Sequence, residues 1–190
     1  MKKGYLYTIV FMFIVALVFT TVLASVNAIF KSRILTNEQL IEKKAVLNAM
    51  SITYNDNEID KLFANIEEVK KDNLVYYALT DGSNQIEKYA VYFEGSGLWS
   101  TLTGYIGVGG NFKTLLGIDF TSQNETPGLG GRIEEEWFKV QFKGVSISDL
   151  PLTYGNGIDA ITGATLTSKS VMKIINDTIN NQVKELEAMK

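Results

Sequence analysis

Asp159-Ala160-Ile161-Thr162-Gly163-Ala164-Thr165-Leu166-Thr167-Ser168 runs directly into the clearest helix of the sequence. Beyond it Val171, Ile174, Ile175, Thr178, Ile179, Val183 and Leu186 recur at helical spacing, with Lys169, Lys173, Asp177, Asn181 and Lys184 off that stripe. The pattern predicts a long amphipathic C-terminal helix. The run of hydroxyl residues suits its N-cap. A helix N-terminus carries unpaired N–H groups and a partial positive charge, so the junction is a candidate anion site that needs no Arg or Lys. Gly163 and Ala164 permit close backbone approach, and Thr162, Thr165 and Thr167 supply hydroxyl donors. A hydroxyl-rich cap with no ligand accounts for the same residues.

Upstream lies a second constellation, Glu125-Thr126-Pro127-Gly128-Leu129-Gly130-Gly131. Pro127 fixes φ and the glycines permit positive φ, so the string reads as a constrained turn. Strand candidates surround it. Leu74 to Leu79, a turn at Asp81-Gly82-Ser83-Asn84, and Lys88 to Phe93 read as a β-hairpin, and Thr114 to Thr121 and Trp137 to Phe142 as two further strands. Glycines crowd positions 95 to 110. The expected fold class is α+β, with an antiparallel sheet and the long C-terminal helix.

At the other end, no residue from Gly4 to Phe30 carries a formal charge, and Lys2-Lys3 precede this stretch. Roughly 20 apolar residues cross a bilayer as a helix, so residues 5–30 are expected to sit in lipid as a retained anchor. The basic pair places the N-terminus inside and the remainder outside the cytoplasm. Small residues at Val26-Asn27-Ala28 keep a cleaved signal peptide open, although its apolar core is normally shorter, about 7–15 residues. After the anchor, Thr36 with Gln39 reads as a capping box. Leu40, Ala45, Val46, Leu47 and Met50 follow at helical spacing, and a second short helix is expected from Ile59 to Lys70. The division is residues 1–33 for tip and anchor and 34–190 for one extracytoplasmic domain.

Composition narrows the chemistry. The chain of 190 residues has no Cys and no His, which removes thiolate nucleophiles, disulfides, Cys-ligated metals and imidazole acid–base catalysis. Redox or group-transfer chemistry would need an organic cofactor. Only Lys2 and Lys3 of the 18 basic residues precede residue 31, so the rest is more acidic than the net −3 of the whole, and no nucleic-acid partner is expected. Gly107-Val108-Gly109-Gly110-Asn111-Phe112-Lys113-Thr114 fails as a phosphate loop because Phe112 stands where glycine should precede the lysine. No dinucleotide fingerprint is present.

The pattern Asp159-x-x-Thr162-Gly163-Ala164-Thr165 and the string Glu125-Thr126-Pro127-Gly128-Leu129-Gly130 resemble, in that combination, the FMN-binding domain family. Its members include the G subunit of the Rnf complex and the C subunit of the sodium-pumping NADH:quinone oxidoreductase. The Gly97-Leu98-Trp99 and Phe142-Lys143-Gly144 strings fit the same resemblance. It implies FMN held by a phosphoester to Thr165, installed by a dedicated flavin transferase that recognises a frame including Asp159. It also implies cofactor contacts from Glu125, Thr126, Gly128, Leu129, Thr162, Gly163, Ala164, Leu166 and Thr167. Lys143 is a weaker candidate, for which a solvated strand residue is the plain alternative.

By the same resemblance the chain is an electron carrier in the bacterial inner membrane. Its place is among the other subunits of an Rnf-type complex that links ferredoxin and NAD to Na+ or H+ translocation, with no catalysis by this chain alone. The C subunit of the quinone reductase is the alternative within the family. An anchored pilin-like structural protein is the alternative outside it, although Ile9 stands where a pilin has Glu.

Overall fold

A computed structural model describes residues 2–71, 74–83 and 85–189; Met1 and Asn84 of the expected basic tip and hairpin turn lie outside these. The chain divides into two compact units, 1–40 and 41–190.

The first unit is helical and carries an apolar run, within Gly4–Ala49, long enough to cross a membrane by length and composition. The expected capping box at Thr36 is not a helix start. Helix α1 runs unbroken over Lys2–Ala49, and the Thr36 hydroxyl donates back to the Ser32 carbonyl at 3.0 Å, satisfied inside the helix rather than at its end.

The helix does end where the apolar spacing stops. Ser51 adopts φ 52°, Ser51 N–H donates to Asn48 O and Ile52 N–H to Leu47 O, which together close a Schellman turn with serine in the left-handed position. Helix α2 covers only Ile59–Phe63. The expected helix to Lys70 gives way to strand β1, Ile66–Lys71, whose Glu and Lys side chains face solvent along a sheet edge.

Strands β2 (Leu74–Thr80) and β3 (Ile86–Ser96) form the expected hairpin. Within its turn Asp81 accepts the Ser83 hydroxyl and the N–H groups of Gln85 and Ser83, and these bonds, the hydroxyl foremost, hold its carboxyl below the ordinary carboxylate range. The glycine-rich stretch carries a strand that the sequence reading did not assign, β4, Thr101–Gly109, paired between β3 and β5 (Leu115–Ser122). The sheet is an antiparallel meander in the order β1-β2-β3-β4-β5. Gly107 and Gly117 are register partners, and a Cβ on Gly107 would lie 1.8 Å from the Ala49 carbonyl oxygen. Glycine there lets the end of α1 rest on bare backbone.

Trp137–Phe142 is helical, which corrects the expected strand. Helix α3 spans Glu136–Lys139 and continues as a tighter turn over Val140–Phe142. Phe138 and Phe142, four apart, are fully buried while Trp137 and Val140 are exposed, so the buried period is that of a helix. Helix α4, Thr165–Thr178, widens to a π turn over Ile179–Val183 and ends as α5, Lys184–Ala188. The whole stripe from Val171 to Leu186 is buried. Gly95 admits Ile174 against β3. The core therefore has two parts: α4, α5 and the 130–164 segments with the sheet, and residues 45–66 packed with Tyr77, Ala90 and Tyr105.

Candidate functional site

The start of α4 sorts its hydroxyls. Thr167 and Ser168 are buried and committed: Thr167 Oγ1 donates a short bond to Glu125 Oε2, and Ser168 Oγ accepts the Ile161 N–H at 3.1 Å. Thr165 is exposed, and its hydroxyl has no partner among the described residues. Ala164 occupies the cap position with no side-chain bond to offer, which corrects the expected hydroxyl cap. The N–H groups of residues 165–167 consequently lack acceptors among the described residues, and these are the groups a helix directs at an anion. Just before the helix, Ala164 N–H donates to Ile161 O across a turn with Gly163 at φ 82°. A β-branched residue would be strained there.

Glu125 is the joint between the two motifs. It is 4% exposed, and its Oε1 accepts N–H bonds from Leu98 at 2.9 Å and Trp99 at 3.0 Å while Oε2 takes Thr167. One carboxylate thereby joins the turn between β3 and β4, the glycine turn and the first turn of α4. Gly130 has no room for a side chain, since a Cβ would stand 2.6 Å from Thr167 Oγ1. Gly128 instead is open, at φ 72°. Leu129 reaches Gly163, whose added Cβ would be 3.2 Å from it. The Trp99 indole N–H donates to Thr126 Oγ1 at 3.1 Å. Leu98, Trp99, Leu129 and Leu166 are all exposed, a cluster of large apolar side chains around polar backbone.

Of the expected residues, Glu125, Leu129, Gly163 and Thr167 meet directly, and Thr126, Gly128, Thr162, Ala164, Thr165 and Leu166 lie on the same two loops and first helical turn. Asp159 is placed by its backbone: its N–H donates to Gln141 Oε1 at 2.7 Å while its side chain is exposed. Lys143 is elsewhere. It lines a cavity of about 460 Å³ with Asn48, Ser51, Tyr54, Leu116 and Lys139, so it does not join the two motifs.

Three residues went unread in the sequence. Gln141 clamps Asp159, and Arg132 and Trp137 line an open groove of about 500 Å³ together with Asp159, Ala160 and Thr162. The Arg132 guanidinium lies 5.2 Å from the Trp137 ring centroid, and Glu135 receives both Arg132 Nε, at 3.1 Å, and the Trp137 indole N–H. The Trp137 bond and then Arg132 hold the Glu135 carboxyl below its ordinary range. The available signal was that Arg132 is the single cation between Lys113 and Lys139, directly after Gly130-Gly131.

With the two motifs joined in space, their resemblance to a known domain has a structural counterpart. Residues 97–180 match the FMN-binding domain family. The chain is 36% identical to the C subunit of the Na+-translocating NADH-quinone reductase of Pasteurella multocida (strain Pm70), over 50% of this chain and 41% of that protein. It is 31% identical to the G subunit of the ion-translocating oxidoreductase complex of Methanosarcina acetivorans, over 56% of this chain and 57% of that one. The chain thus spans less than two thirds of either relative.

Among solved structures, the C subunit of the Na+-translocating NADH-quinone reductase of Parabacteroides distasonis superposes with TM-score 0.60 at 25% identity, covering 77% of this chain and 92% of that one. Shewanella oneidensis NqrC, at TM-score 0.62 and 21% identity over 72% and 89%, shares the fold. The matched segment takes in β4, β5, both glycine motifs and α4.

Proposed function

We propose that the chain is an electron-carrier subunit with FMN joined through its phosphate to the Thr165 hydroxyl. The observation that carries this is the sorting of hydroxyls at α4. Thr167 and Ser168 are bonded inside the domain, and Thr165 alone of the three stands exposed at an uncapped helix N-terminus within the family match.

The site fits the group. A phosphate at Thr165 would meet the free N–H groups of the first turn, and the exposed side chains of Trp99, Leu129 and Leu166 supply apolar surface for a planar ring. FMN supplies one- and two-electron transfer, for which no side chain of this chain is suited. The protein's part is positional. Glu125 fixes the turn against the helix, Gly163 and Gly128 keep the backbone open, and Gln141 sets the loop that begins with Asp159.

The reading extends to an Rnf-type complex that passes electrons between ferredoxin and NAD and couples them to Na+ or H+ movement. Residues 1–33 would serve as the anchor, and residues 34–190 as a domain outside the cytoplasm. The apolar helix and the similarity to the G subunit of an ion-translocating oxidoreductase complex support it. The C subunit of a quinone reductase is the second reading, favoured by the 36% identical relative and the Parabacteroides structure. An anchored structural protein gives no role to two motifs that converge on one carboxylate.

The test is the intact mass of the denatured chain after co-expression with a flavin transferase. An adduct of FMN minus water in wild type and none in Thr165→Ala is expected. Equal labelling of both, or of neither, refutes the Thr165 attachment.

A further inference from the structure

Strand β3 outruns its neighbour on one side. Its pairing with β4 continues to Ser96, opposite Thr101, whereas its pairing with β2 stops at Val91, opposite Tyr76. In the turn that follows, Gly97 N–H donates to Ser100 O at 2.8 Å, so Gly97 and, by alternation, Gly95 direct their backbone groups toward β4. Those of Glu94 and Ser96 point the other way. No strand among the described residues receives them there, which leaves a short sheet edge with main-chain donors and acceptors unused.

Beside this edge the side chains set a second requirement. Phe93 is buried in the core that α4 shares, and a Cβ on Gly95 would stand 2.3 Å from Ile174, so this parity of β3 faces the helix. The residue of an added strand opposite Gly95 would point the same way. A cavity of about 240 Å³ lies there, lined by Gly95, by Lys173 and Asp177 of α4, and by Gln182 of the π turn. Gln182 Oε1 is buried and has no hydrogen-bond partner, a state that destabilises a carbonyl oxygen until a donor reaches it. Lys173 and Asp177 cancel in charge, so the cavity calls for a neutral donor rather than an ion. We propose that residues 92–96 are the docking edge for an extended segment of another subunit, which continues the sheet beside β3 and places an amide or hydroxyl side chain opposite Gly95, donating to Gln182 Oε1. The edge ends two residues before Leu98, whose N–H Glu125 holds, so the partner lies next to the candidate site. The inference rests on the proposed role as one subunit of a complex and not on the Thr165 attachment.

The test compares backbone hydrogen exchange in the full chain alone in detergent with exchange in the complex purified with its other subunits. The amides of Glu94 and Ser96 are expected to slow by about tenfold or more in the complex, whereas the Gly95 amide, which faces β4, is slow in both. Two variants probe the two halves of the contact. Ser96→Pro removes an edge donor at a position where a strand tolerates proline, and Gln182→Leu removes the unpaired acceptor at similar volume. Each should abolish most of the slowing at Glu94 and leave Gly95, which reports an intact sheet, unchanged.

Equal exchange in the two states overturns the inference, as does slowing at Glu94 that survives both substitutions. Slowing in the isolated chain that grows with its concentration puts a second copy at the edge and overturns the choice of partner. A chain that purifies without other subunits overturns it too. None of these outcomes touches the mass adduct at Thr165, which is judged by its own experiment.

Discussion

On one face of the sheet the end of α1 meets Gly107 and Gly117 backbone to backbone, whereas on the other face the loops of the candidate site meet through the carboxylate of Glu125. The first contact is steric and tolerates no added atom. Around it Glu42 accepts the Tyr105 hydroxyl at 2.6 Å and that of Tyr77 at 3.3 Å, and Tyr77, Tyr105 and Tyr92 pack edge to face. The second contact is polar and leaves its surroundings open: Gly128 has no neighbour within 4 Å of an added Cβ, and Thr165 is exposed. Gly107 serves a close approach at the first contact, whereas Gly128 and Gly163 serve a positive φ at the second. The crowded face supports the domain, and the open one leaves the Thr165 hydroxyl exposed.

The largest effect expected from breaking this contrast is at the crowded face. Gly107→Ala places a methyl group inside the Ala49 carbonyl and should cost about 3 kcal/mol or more, read as a fall in the denaturation midpoint. Glu125→Ala comes next. It strands the Leu98 and Trp99 N–H groups and the Thr167 hydroxyl, for about 3 kcal/mol in all, and it should also raise hydrogen exchange at residues 98, 99 and the first turn of α4. Unchanged exchange there would show that the turn and the helix are held by something other than Glu125.

Tyr105→Phe removes one donor from Glu42 and should cost about 1–2 kcal/mol in chemical denaturation. The same face predicts a pH dependence. Burial first, and then the neighbouring carboxylates Glu42, Glu68 and Glu94, push the phenols of Tyr77, Tyr105 and Tyr92 up, Tyr92 to about 12. The folded state therefore favours the neutral phenol. This contribution is fully present below the ordinary tyrosine value of about 10 and is lost as pH rises from there through about 12. A denaturation midpoint that stays flat between those values would rule it out.

The smallest effect sharpens the contrast from the other side. Thr165→Val should leave the unfolding free energy within about 0.5 kcal/mol of wild type in chemical denaturation, since the hydroxyl has no partner to lose among the described residues. Substantial destabilisation would mean that Thr165 has a structural role after all.

Much of this was legible in the residues, and the failures share a cause. The terminal helix was readable because its apolar period is long and uninterrupted, and the hairpin because its strands flank a turn. Strand β4 went unassigned because the reason for its glycines is tertiary: Gly104 makes room for Phe93 and the backbone of β5, and Gly107 makes room for α1. The charged Ile66–Lys71 segment read as helix because Glu and Lys favour helices, whereas an edge strand tolerates the same charges. Trp-Phe-Lys-Val-Gln-Phe alternates like a strand, yet the pair that counts is Phe138 and Phe142. The two glycine motifs were visible as strings, but nothing local announced that one carboxylate would bond both the 98–99 backbone and Thr167.

That convergence sets an order in time. Glu125 reaches 27 residues back to Leu98 and 42 ahead to Thr167, so its three partners coexist only after the chain from β3 to α4 has been made and folded. A short peptide spanning residues 159–168 contains Thr165 and the whole string around it, but not the clamp that holds Thr167. The surroundings of Thr165 are therefore a property of the folded domain and not of its own ten residues.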